Sequence, residues 1–312
     1  NRPMTDKPDM KNAPLDSETD WLLSRLSPTA QAYAQLARYD RPIGAWLLFW
    51  PCLWGVALAG AQTDTLPSLA HMAAFAVGAL AMRGAGCTYN DIIDRELDAK
   101  VDRTSLRPLP SQRVSVSGAW GFLVAQLFIG LLVLVSFQSL FMFALGVIAL
   151  LPVAAYPFMK RITYWPQAWL GLTFNWGALM GYAAMTDHLA PQAFALYAAG
   201  FFWTLGYDTV YAHQDKEDDA LIGIKSTALL FGARTKPMLI FFYALSLACL
   251  STAAYIGQIG ILFWTALPIV AWHLLMQVSR LDIDNADVCL QIFRSNRNTG
   301  LIIALSFILG IF

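Results

Sequence analysis

Two acidic clusters are the parts of this sequence best suited to chemistry. The first runs from Asn90 to Asp98 and reads NDIIDRELD; the second runs from Asp208 to Asp219 and reads DTVYAHQDKEDD. If the first cluster is helical, Asn90, Asp94 and Asp98 recur every four residues along one face. Like charges at that spacing repel each other, so a helix that stacks them needs a counter-charge.

A hard divalent cation is the counter-charge that fits these residues. In the second cluster, a continuous helix would place Asp208, Asp215 and Asp219 on one face, with Tyr211 between them. Oxygen ligands without His or Cys suit Mg²⁺, which typically binds through one or two carboxylates and substrate phosphates. Two such faces therefore predict a diphosphate bound between them through Mg²⁺. The predicted metal ligands are Asn90, Asp91, Asp94, Asp98, Asp208, Asp215 and Asp219.

Basic residues near the clusters could bind the remaining anionic oxygens of a diphosphate. Arg103 and Arg107 follow the first cluster, and Lys225 follows the second. The alternative is a pair of ordinary solvated loops. However, both clusters begin inside apolar runs, where an ionisable residue is a functional hypothesis by default.

A third candidate site lies between the clusters, where residues 156–167 read YPFMKRITYWPQ. Lys160 and Arg161 stand beside aromatic residues there, and Arg can hold a carboxylate through two parallel hydrogen bonds. The pair could therefore bind an aromatic carboxylate. Equally, Lys and Arg are common in cytosolic loops, and Trp and Tyr are common at membrane interfaces. Arg41 has the same two interpretations.

The elements that carry these residues are predicted to be membrane helices. The chain is 57% hydrophobic and 13% charged, whereas a soluble domain has about 25% charged residues. This composition excludes a disordered chain, a nucleic-acid-binding basic domain and an ordinary soluble enzyme. Apolar runs of about 20 residues can cross a lipid bilayer as helices. Such runs lie near 43–62, 67–88, 117–137, 139–158, 165–185, 190–211, 237–256 and 258–279, with a shorter ninth run at 299–312.

The basic residues predict how these helices are oriented. All 21 Lys and Arg residues lie in the N-terminal segment, in every second loop between the runs, or just before such a loop. An excess of Lys and Arg marks the cytosolic side of a membrane, or the matrix side in a mitochondrion. We therefore expect a cytosolic N-terminus, with both acidic clusters on the same side.

The segment before the first run is polar. Residues 1–40 are interpreted as a tail that can form an interfacial helix, and residues 41–312 as a single membrane domain. Residues 1–20 have no apolar stretch and contain several acids, unlike a signal peptide or a mitochondrial transit peptide. This favours a bacterial cytoplasmic membrane over a mitochondrial inner membrane.

The paired motifs NDxxDxxxD and DxxYAxxDxxxD resemble those of the UbiA superfamily of intramembrane aromatic prenyltransferases. Its hydroxybenzoate branch is matched by RPIGAW at 41–46, MRGAGCT at 82–88, the stretch 156–167 and IGIKST at 222–227. The resemblance covers about residues 38–312.

The resemblance implies an all-α integral membrane protein of about nine transmembrane helices around a central cavity. It also implies Mg²⁺-dependent transfer of a polyprenyl group from a polyprenyl diphosphate to 4-hydroxybenzoate, a step of ubiquinone biosynthesis. Asp91, Asp94, Asp215 and Arg161 would then be catalytic. The residues that bind the substrates would be Arg41, Arg103, Arg107, Lys160, Arg161, Tyr211 and Lys225.

Three other functions compete with this one. A sister enzyme of the same superfamily would use another aromatic acceptor, such as a naphthoate or homogentisate. A divalent-cation transporter would carry its acids near the membrane midplane, whereas these clusters lie at the cytosolic ends of the runs. A non-catalytic scaffold would give the acidic faces no purpose.

Overall fold

The computed structural model describes residues 23, 25–63, 65–100 and 102–312, with the side chains of 102, 103 and 218 excepted. Within these ranges the chain forms helices and no strand, which confirms the all-α fold class. In chain order the α-helices are α1 Pro28–Leu36, α2 Ile43–Gln62, α3 Leu69–Asp98, α4 Asp102–Ser105, α5 Val116–Ser136, α6 Leu140–Ile162, α7 Pro166–Phe174, α8 Trp176–Thr186, α9 Pro191–Ala212, α10 Lys216–Leu221, α11 Thr227–Phe231, α12 Thr235–Ile256, α13 Ile261–Arg280 and α14 Ala286–Leu309.

The helices confirm a protein that crosses the membrane several times. Six stretches of the described chain are long and apolar enough to span a bilayer: Ile43–Gln62, Leu69–Asp98, Val116–Ser136, Leu140–Ile162, Thr227–Ile256 and Ile261–Arg280. The count of nine spans and the cytosolic N-terminus stay predictions.

Two of the remaining predicted runs differ from the helices that form there. The run 165–185 is divided into α7 and α8 at Asn175. The short run 299–312 belongs to α14, a helix of 24 residues that begins at Ala286. The first half of α14 carries Arg294 and Arg297, so the whole helix is less apolar than the run 299–312 from which it was predicted.

Asn175 explains why the helix breaks where it does. Its backbone, at φ −94° and ψ 1°, departs from helical geometry. Its Nδ2 donates to the main-chain oxygen of Gly171 at 2.9 Å and to Oγ1 of Thr204 at 2.7 Å. The side chain thus satisfies a carbonyl that the broken helix would leave unpaired, which lipid surroundings require.

The chain forms two compact units. The first combines the described residues before Ala45 with Leu80–Gly130. Helix α1, which begins at Pro28 after the N-cap Ser27, lies within the polar segment predicted to form an interfacial helix; residues 1–22 and 24 lie outside the described residues. The core of this unit joins α1, the end of α3 and the start of α5 through Ala32, Leu36, Ala85, Ile92, Leu109, Val114, Ala119 and Leu123.

The second unit combines Ala45–Ala79 with Leu131–Phe312 and is centred on α9. Helix α9 packs most extensively against α12 and also contacts α7, α8 and α14. Its buried indole, Trp203, donates from Nε1 to Oδ1 of Asn296 at 2.8 Å. Trp54 of α2 donates in the same way to the main-chain oxygen of Gly300 at 2.9 Å. The indole N–H groups of Trp203 and Trp54 therefore each have an acceptor, as an apolar interior demands.

Candidate active site

The first acidic cluster lies at the end of α3, in the first unit. Helix α3 continues past Thr88 to Asp98, so the expected alignment of Asn90, Asp94 and Asp98 on one face is confirmed. The side chain of Asp94 is fully buried, as is that of Asp91, and Asp98 is nearly so. Buried carboxylates are costly unless opposite charges or cations compensate them.

Two arginines supply much of that compensation. Arg38 donates from Nη2 to both carboxylate oxygens of Asp91, at 2.7 and 3.0 Å. Arg107 donates from Nη1 to Oδ2 of Asp98 at 2.8 Å and to Oδ1 of Asp91 at 3.4 Å. Repulsion within the acidic cluster is thus relieved partly by arginine.

Arg38 is a site residue that the sequence pattern did not single out. It lies between α1 and α2 with only 8% of its surface exposed. Burial acts to lower the pKa of its guanidinium, but the attraction of Asp91 and its other neighbours outweighs this, so the pKa is raised and the charge persists. The signal available in the sequence was the acidic cluster itself, which required a buried cation nearby.

The other predicted cations near this cluster differ in how they are placed. Nε of Arg41 lies 3.6 Å from Oδ1 of Asp40, whose carboxylate is fully buried. Asp40 is a second residue that the sequence pattern did not single out. Arg103 belongs to α4, but its side chain lies outside the described residues.

The second acidic cluster lies in the second unit and is not one continuous α-helix. Helix α9 ends at Ala212, a 3₁₀ helix covers His213–Asp215, and α10 begins at Lys216. The expected single α-helical face through the cluster is therefore wrong. A 3₁₀ turn has about three residues instead of about 3.6, which rotates every later side chain relative to Asp208.

The side chains of this cluster are partly sheltered. Asp208 is 9% exposed, and Tyr211, Asp215 and Asp219 are half-buried. The ring of Tyr211 packs against Phe293 with a centroid distance of 4.4 Å.

His213 occupies the centre of this cluster and was not singled out by the sequence pattern either. Its Nε2 lies 2.9 Å from Oγ1 of Thr235. Burial lowers the pKa of His213 to about 4, Lys216 acts in the same direction and Asp284 acts against it. The imidazole is therefore neutral at pH 7, and its role here is to pack and hydrogen-bond.

The segment 225–227, after the second cluster, is tied to the neighbouring helices. The main-chain nitrogen of Lys225 donates to the oxygen of Lys160 at 2.8 Å, and its Nζ donates to the oxygen of Ile162 at 3.1 Å. The main-chain nitrogen of Thr227 donates to Oε1 of Gln167 at 3.0 Å. The structure therefore brings Lys225 to the Lys160–Arg161 pair at the end of α6.

The two cations of that pair are presented differently. The Arg161 side chain is exposed, whereas Lys160 is half-buried. A guanidinium can hold a carboxylate through two parallel hydrogen bonds. The role of Arg161 as an acceptor-binding residue stays a prediction.

The donor atoms in the two clusters match Mg²⁺ in type. Every predicted ligand offers an oxygen, and Mg²⁺ prefers oxygen ligands. Within the described ranges, no three His, Cys, Asp or Glu side chains form a metal-binding group. Mg²⁺ often takes only one or two protein carboxylates and completes its shell with water and substrate phosphates, so the residues fit a metal that arrives with its substrate.

Comparison with known proteins gives a consistent result. The model of the UbiA prenyltransferase family matches residues 48–302. A relative from Drosophila pseudoobscura pseudoobscura, named "4-hydroxybenzoate polyprenyltransferase, mitochondrial", is 48% identical over 304 residues, covering 96% of this chain and 76% of that protein.

Solved structures share the fold. A UbiA homolog from Aeropyrum pernix K1 aligns with a TM-score of 0.72 at 20% identity, covering 85% of this chain and 98% of that one. A UbiA homolog from Archaeoglobus fulgidus, solved bound to GPP and Mg²⁺, aligns with a TM-score of 0.63 at 23% identity, covering 89% and 98%.

Proposed function

Because this chain belongs to the UbiA prenyltransferase family, we propose that it transfers a polyprenyl group from a polyprenyl diphosphate to 4-hydroxybenzoate. One structural observation carries the proposal: α3 places a fully buried carboxylate, Asp94, at the end of an apolar helix. Such a carboxylate suits a Mg²⁺-bound diphosphate attached to an apolar chain. The acceptor is supported by the Drosophila relative, whose name specifies 4-hydroxybenzoate.

Asp94 and Asp215 are the residues on which the reaction depends most. When bound, Mg²⁺ would neutralise the diphosphate and stabilise the charge that develops on it as the bond to the prenyl carbon breaks. The Archaeoglobus homolog binds Mg²⁺ together with GPP, which supports this choice of metal. Both carboxylate oxygens of Asp91 are engaged by arginine, so it is left out of this ligand set. The ligands that we propose are Asn90, Asp94, Asp98, Asp208, Asp215 and Asp219.

The reaction is an electrophilic aromatic substitution. Cleavage of the C–O bond gives diphosphate and an allylic cation, and the ring carbon ortho to the hydroxyl then forms the new C–C bond. Loss of the proton from that carbon restores aromaticity. Arg161 and Lys160 hold the carboxylate of the acceptor. The other residues that we propose to bind the substrates are Arg41, Arg103, Arg107, Tyr211 and Lys225. Apolar surroundings protect the cation, which water would quench.

We infer that the membrane domain has nine spans and a cytosolic or matrix-facing N-terminus. The pairing of α7 with α8 as one broken span, and the lengths of α9 and α14 at 22 and 24 residues, support this count. The bacterial membrane favoured by the sequence has no support from the comparison, since the relative described above is mitochondrial. A mitochondrial inner membrane fits the same loop charges.

The test is an assay on purified protein in detergent, incubated with geranyl diphosphate and 4-hydroxybenzoate in Mg²⁺ or in EDTA. Mass spectrometry should find a prenylated hydroxybenzoate only with Mg²⁺. Release of diphosphate with homogentisate or a naphthoate but not with 4-hydroxybenzoate would show that the enzyme uses a different acceptor. Absence of diphosphate release with all three acceptors would refute the proposal.

A further inference from the structure

Both carboxylate oxygens of Asp91 are bound by arginine, unlike those expected of a metal ligand. Its Oδ1 and Oδ2 both accept from Nη2 of Arg38, and Oδ1 also faces Nη1 of Arg107. The two arginines come from different segments, one before α2 and one after α4. A fully buried carboxylate with two guanidinium partners is a charge-assisted network, in which removal of one partner is costly.

Arg38 is itself held in place by the end of α1. Its Nη1 donates to the main-chain oxygens of Gln35 and Leu36, at 2.9 and 3.4 Å. These carbonyls belong to the last turn of α1, where a cation also interacts favourably with the helix dipole. One guanidinium therefore joins the C-terminus of α1 to Asp91 on α3.

The backbone of Arg38 forms part of the C-terminal cap of α1. Its φ is +61°, in the left-handed region that side chains other than Gly rarely adopt. This conformation belongs to the cap itself, in which the main-chain nitrogen of Arg38 donates to the oxygen of Gln35 at 3.1 Å and that of Tyr39 donates to the oxygen of Ala34 at 2.9 Å. The cap holds the backbone of Arg38 at the helix end from which its guanidinium contacts Asp91.

The position of Asp91 on the helix shows what this contact orients. Successive residues of an α-helix are rotated by about 100°, so Asp91 is offset from Asn90 by about that angle. Seven residues come within about 20° of two full turns, so Asp91 and Asp98 share a face, and Arg107 bridges them there. Fixing Asp91 fixes the rotation of the helix end, and with it the direction of Asn90 and Asp94.

We propose that Asp91 is a positioning residue, which, through its ion pair with Arg38, orients the face of α3 that carries Asn90 and Asp94, and that it is not itself a metal ligand. The inference rests on the proposed function for the role of Asn90 and Asp94. The ion pair itself does not depend on that function. According to this proposal, the segment before α2, which carries Arg38, helps to orient the site.

A double-mutant cycle on the full chain in detergent tests the ion pair. Asp91→Asn and Arg38→Gln should each lower the unfolding temperature, because each removes one partner from a buried network of charges. The double variant Asp91→Asn/Arg38→Gln should recover much of the loss, and Arg38→Lys should be milder than Arg38→Gln. Purely additive losses would overturn the proposal whatever the reaction is.

Metal binding separates a positioning role from ligation. Mn²⁺ binding in the presence of inorganic diphosphate, followed by electron paramagnetic resonance, should keep the wild-type stoichiometry in Asp91→Asn. Asp94→Asn, which replaces a proposed ligand carboxylate by a neutral amide, should bind fewer Mn²⁺ ions under the same conditions. Equal loss of Mn²⁺ in both variants would overturn the proposal. If wild-type protein binds no Mn²⁺ with diphosphate, the proposed function fails, and the unfolding cycle alone decides the role of Asp91.

Discussion

The main-chain nitrogen of Lys225 donates a hydrogen bond to the main-chain oxygen of Lys160 at 2.8 Å. This bond fixes the segment after the second acidic cluster to the end of α6. The cations proposed to hold the acceptor are thereby attached to the segment that follows Asp215 and Asp219. Substrate-positioning contacts of this kind can supply a large part of a rate enhancement.

Asp94→Asn should reduce prenyl transfer by about 100-fold or more, because the variant loses a negative charge where Mg²⁺ is proposed to bind. The protein should remain monodisperse in detergent. Steady-state product formation by mass spectrometry measures the effect. Glu96→Gln is the matched control, since Glu96 is exposed on the same helix and should keep near-normal turnover. Near-normal turnover of Asp94→Asn would refute the metal-binding role.

Asp215→Asn should also strongly reduce turnover at ordinary Mg²⁺ concentrations, with partial recovery as the Mg²⁺ concentration is raised. A neutral amide oxygen is a weaker ligand than a carboxylate for a hard cation. The measurement is turnover against Mg²⁺ concentration, with Glu217→Gln, an exposed neighbour, as control. If both variants follow the wild-type curve, Asp215 does not bind the metal.

Arg161→Ala should raise the KM for 4-hydroxybenzoate more than the KM for the prenyl donor. A hydrogen bond to a charged group contributes about 1.5–3 kcal/mol, which corresponds to roughly 10- to 100-fold in affinity. The two KM values are measured separately, with Arg280→Ala as a control for the loss of an exposed cation in the last turn of a helix. Equal increases in both KM values would place Arg161 on the diphosphate or in the fold.

Gly200→Ala should destabilise the protein, because a Cβ there would overlap the Oδ1 atom of Asn175 at the break between α7 and α8. Overpacking of this kind typically costs about 1–3 kcal/mol. Thermal unfolding in detergent gives the change. Gly121→Ala is the control, since nothing lies within 4 Å of a Cβ at that helical position, and its midpoint should stay or rise. Equal midpoints in both variants would argue that the break tolerates a methyl group.

The sequence predicted those helices that are determined by residues close together in the chain. Helix α2 matches the apolar run 43–62 at both ends, because length and hydrophobicity alone define such a span. The predicted alignment of Asn90, Asp94 and Asp98 required the helix to continue beyond the apolar run 67–88, and α3 meets that condition by ending at Asp98. In both cases the residues that determine the structure are neighbours in the chain.

The features that the sequence missed depend on distant partners. The break at Asn175 is stabilised by Thr204 of another helix, and the pair between Arg38 and Asp91 joins segments 53 positions apart. The 3₁₀ turn at His213–Asp215 accompanies the contact of His213 with Thr235. None of these partners is visible in the local pattern of residue types, since tertiary packing selects them.

The most direct test of the proposed reaction is the isotope content of its product. The acceptor would be 4-hydroxybenzoate deuterated at both carbons ortho to its hydroxyl, incubated with geranyl diphosphate, Mg²⁺ and purified protein. Substitution at the ring carbon must release one of the two deuterons, so we predict a prenylated product that retains one, formed together with an equal amount of diphosphate. A product that retains both deuterons would mean attachment at an oxygen or at another ring carbon and would contradict the account, as would the absence of any Mg²⁺-dependent product.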